Sequence, residues 1–595
     1  MAFLVSPGVN TSEIDLTTSI PAVGTSTGAT VGFFRWGPAN SVIQVSSEND
    51  LTQQFLKPDS NSAVSFLSAA NFLSYGNDLR VVRVINDTAG TATSSNNATS
   101  NTSHAAIISN DEDYFNNRYN TANTTTAKYA ARYPGAIGNS LKISVCGSES
   151  SFSAPIANGG FAYASLFDAA PNTSAYATRI TGTSTLKDEL HIVVVDEDGL
   201  FSGQANTVLE RYSNLSKCSD AKSDDGSSIY YKEVLFRNSN YIHWLGHPAG
   251  SNATNAWGQT VAAAYATGDV LHSPTAANTT FSFYNGSDGV PTVGNAVASV
   301  DLFNNKEKFD ISLFFAGDGL VSANSSFTET DYTTIVNEVL TVADGRKDAI
   351  GFISPPYANC VTSNAKATHV TSFRNGSGLL DTSYGVIDSG WKYQYDKYND
   401  VYRWIPLNAD IAGLCVRTDL QRDPWFSPAG LNRGQIRNLV KLSFNPSQSE
   451  RDTLYKAGVN PVVSFPGEGT VLFGDKTLQG RPSAFDRINV RRLFIVLEKA
   501  ISRAARSSLF EFNDEFTRAQ FVALVEPFLR DVQGRRGIYD FRVVCDESNN
   551  TPQVIDANQF VGDIYIKPAR SVNFIQLNFV AVRSGVSFDE IVGRF

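Results

Sequence analysis

The sequence predicts a multidomain protein of mixed α/β and α+β class. Its 595 residues exceed the size of one ordinary hydrophobic core and predict about three to five domains. With 42% hydrophobic and 18% charged residues, most of the chain has the composition of a folded protein. Two patterns set the class: a strand–helix–strand succession after Asp310, and short strand-like runs separated by turns between residues 128 and 300.

The N-terminal part reads as an arm followed by a strand, a helix and a second strand. Residues 1–20 contain Pro7, Gly8 and many Ser and Thr, and they are too short and polar to form a core. The pattern then predicts a strand from Val31, a helix over Ser62–Tyr75 and a buried strand over Leu79–Ile85. Residues 86–127 are rich in Asn, Thr, Ser and Ala without periodicity, which predicts a polar, poorly packed loop.

Residues 91–300 predict a β-rich insertion with a solvated surface. Strand-like runs occur at Leu141–Val145 and His191–Val195, with an acidic turn from Asp196 to Gly199. The segment carries 11 basic and 17 acidic residues. This acidic balance is typical of an outer surface.

The pattern after Asp310 predicts a βαβ unit and therefore a parallel sheet. The run ISLFFA is a buried strand, Ala349–Ile353 is the next strand, and Gly345 is expected to end the intervening helix. The apolar positions of that helix have helical spacing: Tyr332, Ile335, Val336, Val339, Leu340 and Ala343.

The remaining chain predicts a hairpin, two helices and two strands. Aromatic residues alternate on both sides of an Asn-Asp turn in Trp391–Trp404, as in a β-hairpin. Thr517 and Gln520 have capping-box spacing at the start of the second helix, which contains Pro527. The other patterns are a helix marked by Val490, Leu493, Phe494, Leu497, Ile501 and Ala505, and strands over Ile564–Lys567 and Val572–Val582.

One segment comes close to a nucleotide-binding loop. Gly469 to Lys476 approaches the P-loop pattern, but Asp475 places a carboxylate beside the lysine, and the residues between the glycines are bulky strand formers. A strand and turn explain this segment better. An α/β nucleotide-binding enzyme, an ATPase using Gly469–Lys476, remains the alternative function.

The sequence contains no pattern typical of a metal site, a redox-active cysteine pair or a membrane span. The five cysteines are widely spaced without a CxxC pair, and His243 and His247 lack the glutamate of a metalloprotease helix. No secretory signal or membrane-spanning run is evident, so we expect assembly in a cytoplasm. The net charge of −10 argues against a surface that binds nucleic acid throughout, although the aromatic hairpin leaves a nucleic-acid-binding module as a third reading.

Several long segments resemble the tail sheath proteins of contractile-tailed bacteriophages, of the T-even type found also in cyanophages. The resemblance runs from the N-terminal region to the C-terminus, and the region 86–127 looks shorter than its T-even counterpart. The segments that carry it are Ser6-Pro7-Gly8-Val9, Tyr75–Arg83, Tyr133-Pro134-Gly135 with Gly138-Asn139, Lys392–Asp400, Ser427-Pro428-Ala429-Gly430 with Asn432-Arg433-Gly434, Phe485–Leu493, Asn549-Asn550-Thr551-Pro552 and Lys567–Ser571.

The resemblance implies a structural protein, not an enzyme, that needs no cofactor. Such a subunit polymerises as stacked hexameric rings around a tail tube and contracts irreversibly to drive the tube through the bacterial envelope. The implied partners are further copies of itself, the tail tube protein, and baseplate and tail terminator or neck proteins, without direct nucleic-acid binding or membrane insertion. The implied location is the virion tail, assembled in the bacterial host cytoplasm.

The resemblance also implies how the predicted segments are organised. A sheath core with a parallel-sheet α/β middle domain carries a β-rich outer insertion and a C-terminal helix-plus-sheet domain with exchanged terminal arms. The corresponding ranges are an N-terminal linking arm over 1–20, the discontinuous middle domain over 21–90 and 301–480, the outer insertion over 91–300 with the polar loop 86–127, an inner domain facing the tube over 481–570, and a C-terminal linking arm over 571–595.

Two sets of residues are the candidate assembly sites. Because the N-terminal arm cannot fold alone and the last strand would expose a sheet edge, we expect the ends to pair between subunits through Phe3, Val5, Val9, Ile14, Leu16, Val572, Phe574, Ile575, Leu577 and Phe579. Residues 481–595 carry 16 basic and 14 acidic residues against an acidic remainder, which predicts contact with an acidic tube. The tube-facing candidates are Arg491, Arg492, Lys499, Arg503 and Arg506, for which a solvated basic face is the alternative.

Overall fold

The computed structural model describes residues 24–86, 90–94, 107–120, 127–158, 160–247, 257–266, 280–316, 320, 327–573 and 576. The described chain forms two compact units. The larger contains Pro428–Ala500 and the chain up to Pro424, and the smaller contains Trp425–Ser427 and the chain from Ile501 onward.

A six-stranded sheet forms the centre of the larger unit, in the order β13-β12-β11-β1-β3-β2. Neighbouring strands are parallel except β2 and β3, which are antiparallel. Nearly every residue of the parallel strands is buried, as expected for a sheet covered on both faces. The strands are β1 (Gly28–Gly32), β2 (Val42–Val45), β3 (Leu79–Arg83), β11 (Leu313–Ala316), β12 (Ile350–Ile353) and β13 (Gly385–Ile387).

The helix of the predicted βαβ unit is α9 (Glu329–Arg346), which begins with a capping box formed by Thr328 and Asp331. Its buried residues belong to two apolar clusters, one containing Val336 and the other Ile335. The prediction that Gly345 ends this helix is wrong. The chain turns instead at Lys347, which has a φ of 66° and donates its N–H to the Ala343 carbonyl at 3.1 Å.

The insertion between β3 and β11 contains a seven-stranded antiparallel sheet in the order β8-β7-β6-β10-β4-β5-β9. The chain enters and leaves this sheet side by side, because Gly90 and Ser287 exchange two backbone hydrogen bonds of 3.0 Å. We call this pairing the neck of the insertion. The strands are β4 (Thr93–Ser94), β5 (Tyr129–Ala131), β6 (Leu141–Cys146), β7 (Glu189–Asp196), β8 (Thr207–Ser216), β9 (Ile242–Trp244) and β10 (Thr280–Tyr284).

Part of the region predicted as a poorly packed loop is folded. Within 107–120 a short helix, α3 (Asp111–Tyr114), is capped by the Asn110 side chain, which accepts from Asp113 N. Tyr114 is fully buried and its ring stacks on His243 with centroids 3.9 Å apart. The loop prediction is wrong here because one acidic, capped turn directs an aromatic side chain into the insertion core.

The aromatic hairpin is confirmed. Strands β14 (Trp391–Asp396) and β15 (Val401–Pro406) pair antiparallel, and Tyr395 lies opposite Tyr402. Asp400 in the turn has a φ of 53°, as tight hairpin turns require. Strand β16 (Lys441–Leu442) adds to the other edge of β14.

The smaller unit contains the last two helices of the described chain, Glu515–Gly534 and Pro552–Asp556, and a two-stranded sheet. Helix α14 (Glu515–Gly534) begins earlier than predicted, since the Asp514 side chain accepts from Thr517 N at 2.8 Å and Thr517 is itself helical. The capping-box prediction is therefore wrong, because an aspartate three residues before Thr517 caps the helix instead. Strands β19 (Ile538–Val544) and β20 (Asp563–Pro568) pair antiparallel.

The other elements connect these sheets. They are α1 (Glu48–Phe55), α2 (Ala63–Leu73), α4 (Glu149–Ser153), α5 (Ala175–Thr181), α6 (Tyr231–Asn238), α7 (Val261–Ala266), α8 (Val293–Asp301), α10 (Lys366–Gly376), α11 (Asn408–Gln421), α12 (Gln448–Lys456), β17 (Val462–Phe465), β18 (Gly469–Leu472), α13 (Ile488–Ala505) and α15 (Pro552–Asp556).

Candidate assembly surfaces

Helix α13 carries four of the five charged residues predicted to face a tube, and the fifth, Arg506, directly follows its last residue. Of the predicted apolar positions of the helix, Val490, Leu493 and Leu497 are buried, and Phe494, Ile501 and Ala505 are half-buried. Residues 488–500 of the helix belong to the larger unit, and residues 501–505 belong to the smaller one. The charged side chains differ sharply in their surroundings.

Arg491 is buried inside the larger unit. Its guanidinium lies 4.3 Å from the ring centre of Tyr384 and 4.4 Å from that of Phe485. It also forms an ion pair with Glu498 at 3.5 Å. Aromatic faces and one carboxylate thus stabilise this cation within the chain.

Arg492 is also buried and forms a bidentate ion pair with Asp419 of α11. Its two terminal nitrogens donate to the two carboxylate oxygens at 2.8 and 2.7 Å. Burial alone would lower the pKa of Arg492, but the Asp419 carboxylate raises that pKa above its ordinary value. The pair is therefore charged, and Arg492 holds α13 against α11.

Lys499 is bound at the point where the described chain begins. Its ammonium donates to an Asp310 carboxylate oxygen and, at 3.4 Å, to the Gly24 carbonyl. Only 10% of its side chain is exposed. Like Arg491 and Arg492, Lys499 forms an ion pair within the chain.

Arg503 and Arg506 are exposed on the smaller unit. They follow the unit boundary at Ala500 and precede α14. Of the five tube-facing candidates, these two present their side chains at the surface. The prediction of tube contact stays open for them.

The smaller unit has a group of exposed apolar side chains after α13. Phe512 is 84% exposed, and Leu509, Phe510 and Phe516 are also exposed. Isolated exposed apolar residues are normal, but four within eight positions are typical of a surface that another molecule covers.

The sheet of β19 and β20 has an outer edge on each strand without a further strand in the described part of the chain. Tyr539 and Tyr565 are mostly exposed on these strands. Unpaired edges are templates for added strands from other chains. Of the residues predicted to make such pairing, Val572 is described and 78% exposed, and the other nine lie outside the described residues.

The segment that approaches a P-loop is a hairpin. Strand β18 pairs antiparallel with β17, so its backbone amides belong to a sheet. Lys476 donates to the Tyr455 carbonyl at 2.7 Å, and Asp475 pairs with Arg487 at 3.1 Å. The lysine that a nucleotide phosphate would need is thus directed at backbone.

The two histidines of the sequence motif are buried in the insertion. The His247 Nδ1 atom is hydrogen-bonded to the Tyr231 hydroxyl at 2.6 Å, and His243 stacks on Tyr114. Within the described ranges no cluster of three His, Cys, Asp or Glu side chains is arranged to hold a metal ion. No helix in the same ranges is both long and apolar enough to cross a membrane.

Three family profiles match the chain in order. They are the Gp18 domain III N-terminal region of tail sheath proteins at residues 25–84, the phage tail sheath central domain at 307–478 and the phage tail sheath C-terminal domain at 481–581. The interval between the first two profiles contains the insertion. All three profiles describe one kind of protein.

Full-length relatives agree with these profiles. The tail sheath proteins of Vibrio phage KVP40 and Enterobacteria phage T4 are each 34% identical, covering 99% of this chain and 100% and 99% of the relatives, respectively. That of Salmonella phage ViI is 31% identical with similar coverage. The fold of a sheath tail protein from Listeria innocua matches 92% of the chain and 96% of that protein, with a TM-score of 0.50 at 11% identity. The chain belongs to the tail sheath protein family of contractile-tailed bacteriophages.

Proposed function

We propose that this sheath subunit polymerises as stacked hexameric rings around a tail tube and contracts to drive the tube through a bacterial envelope. The observation that carries the proposal is the 34% sequence identity to tail sheath proteins over 99% of this chain. Contraction needs no nucleotide when subunits pass from a metastable lattice to a more stable one. In agreement with this, the segment before Lys476 forms a β-hairpin and not a phosphate-binding loop. The partners are further copies, a tube protein, and baseplate and tail terminator or neck proteins.

We further propose that the domains follow the ranges predicted from the sequence. The six-stranded sheet takes strands from both sides of the insertion, which supports one discontinuous middle domain over 21–90 and 301–480. The smaller unit, with its helix and two-stranded sheet, supports the part of the proposed inner domain over 481–570 that begins at Ile501, while residues 481–500 belong to the larger unit. The ends, 1–20 and 571–595, act as linking arms.

The proposed link between subunits is strand exchange. The N-terminal arm of one subunit pairs with the C-terminal arm of a neighbour, and the open edges of β19 and β20 offer further main-chain hydrogen bonds to the exchanged strands. Such bonds allow the folded bodies to tilt while their connection remains. Exposed Phe510 and Phe512 add apolar surface that a neighbour can cover.

Two truncations test this link. Deleting residues 1–16 removes the N-terminal arm, and ending the chain before Ser571 removes the C-terminal arm that is proposed to pair with it. We expect each variant to give a folded body by circular dichroism and no tubes by electron microscopy, because each lacks one half of the contact.

Mixing the two truncations provides the control. One variant retains the C-terminal arm and the other retains the N-terminal arm, so the mixture should form heterodimers in sedimentation experiments although neither associates alone. Contractile sheaths from either single truncation would refute strand exchange.

Arg503 and Arg506 remain the proposed contacts to an acidic tube. Replacing both with Glu should weaken assembly of the sheath on the tube and remove much of its salt dependence. The matched control is Arg179→Glu, a reversal of an exposed charge in the insertion. Unchanged assembly and salt dependence in the double variant would contradict the contact.

A further inference from the structure

The described chain begins with a segment that has little apolar surface. Residues 24–27 are Gly, Thr, Ser and Thr, and they precede β1 directly. Burial of such small polar side chains contributes little hydrophobic free energy to holding the segment in place. Polar contacts must therefore hold this segment, and the structure shows three groups of them.

The first group of contacts involves the buried pair of Arg492 and Asp419. The Thr25 hydroxyl donates to the Asp419 carboxylate at 2.7 Å, and Arg492 reaches the Thr25 carbonyl at 3.4 Å. The side chains of Arg492 and Asp419 are 4% and 8% exposed. Thr25 thus completes a charge-assisted network that is shielded from solvent.

The second group is centred on the Gly24 carbonyl. It accepts from the Ser312 hydroxyl at 3.1 Å and from the Lys499 ammonium at 3.4 Å. Lys499 is in turn held by Asp310. One carbonyl is therefore fixed by two donors from separate elements, of which one carries a charge.

The third group continues the attachment into the sheet. The amides of Ser312 and Leu313 donate to the Thr27 carbonyl at 2.9 and 3.1 Å. The Thr27 hydroxyl donates to Asp78 at 2.8 Å. The segment is held along its whole length before β1 begins.

We propose that Arg492 and Lys499, with Asp419 and Ser312, form a clamp that fixes the root of the N-terminal arm, so that tension on the arm passes into the body of the subunit. The inference rests on the proposed strand exchange, because an arm carries tension only when a neighbour holds its other end. The two cations predicted to face a tube are thus positioning residues for the arm. Helix α13, which carries them, leads in sequence to the C-terminal strands.

A triple variant, Thr25→Val, Ser312→Ala and Lys499→Met, weakens the clamp and leaves the Arg492–Asp419 pair intact. In the monomer, hydrogen exchange at the Ser312 and Leu313 amides reports detachment of Thr27. We expect that exchange to become at least about tenfold faster, with unchanged exchange in β12, because the clamp opens before the sheet does.

Two matched variants control for nonspecific effects. Thr334→Val removes an exposed hydroxyl that bonds only within its own helix turn. Lys499→Arg, introduced alone, keeps the charge and its donors. Both should show parental exchange at Ser312 and Leu313.

The second measurement is made on assembled sheaths after contraction is triggered with mild denaturant. We expect the triple variant either to form tubes that break into short fragments or to remain a folded monomer that forms no tubes. Parental exchange in the monomer, or contracted sheaths of parental length, would overturn the clamp. Strand exchange fails separately, by polymerisation of the chain that lacks residues 1–16.

Discussion

His247 shows how one buried side chain makes the insertion sensitive to pH. Its ring is hydrogen-bonded to Tyr231 and lies 5.1 Å from the Trp244 ring. Burial, together with the positive charges of Lys232 and Lys128, lowers the pKa of His247 to about 4. The native insertion thus holds His247 neutral at pH values where an unfolded chain protonates it.

We predict that the insertion loses stability as the pH falls from about 6.5 to about 4. The unfolded state binds a proton in this window and the folded state does not, so unfolding becomes easier by up to about 3 kcal/mol. Tryptophan fluorescence during urea unfolding, to which Trp244 and Trp257 of the insertion contribute, measures the change. His247→Asn should reduce the pH dependence.

The control is His369→Asn, because His369 is exposed on α10. This variant should keep the parental pH dependence. An unaltered dependence in His247→Asn would show that His247 does not determine it, leaving the other two buried histidines of the insertion, His191 and His243, whose pKa values burial also lowers.

The surroundings of charged residues could not be predicted from the sequence. Helical spacing identified the apolar face of α13, which the structure confirms. Helical spacing could not distinguish the buried Arg492 from the exposed Arg503, because Arg492 is held by Asp419, which is distant in sequence. Charge counts reveal an excess of cations, but long-range contacts decide which cations reach the surface.

At the scale of elements, the packing of α2 and α11 depends on a glycine. A Cβ atom added at Gly413 of α11 would lie 2.4 Å from Cδ2 of Tyr75, which follows α2. The Tyr75 hydroxyl donates to buried Asp410 at 3.1 Å, so the ring has little freedom to move away. The close approach of the two elements therefore requires the missing side chain.

We predict that Gly413→Ala destabilises the protein by about 1–3 kcal/mol through overpacking, despite the better helix propensity of alanine. The matched control is Gly345→Ala in α9, where nothing lies within 4 Å of the added Cβ. That change should stabilise by about 0.5–1 kcal/mol. Urea unfolding measures both, and equal effects would contradict the packing argument.

Local patterns predicted most helices and strands but not their ends or their order. The βαβ unit and the aromatic hairpin were predictable because the periodicity is long and regular. The ends of α9 and α14 were not, because Lys347 and Asp514 compete with nearby residues that have equally good turn or cap chemistry. The position of β1 between β3 and β11 depends on contacts across the insertion, which no local pattern contains.

At the scale of the whole molecule, the larger unit combines a buried central sheet with a polar attachment of the chain that precedes β1. The six-stranded sheet and its two apolar clusters bury the central strands on both faces. The polar contacts at Gly24, Thr25 and Thr27 fasten the chain just before β1. Family membership places this subunit in the phage virion.

The neck formed by Gly90 and Ser287 has a consequence for how such proteins diversify. Because the two crossings are hydrogen-bonded to each other, the chain beyond them can lengthen, shorten or be replaced without changing the order of strands in the six-stranded sheet. The insertion can therefore vary in length and fold while the six-stranded sheet keeps its topology. The same geometry makes the neck a site for grafting a foreign domain onto a repeating polymer.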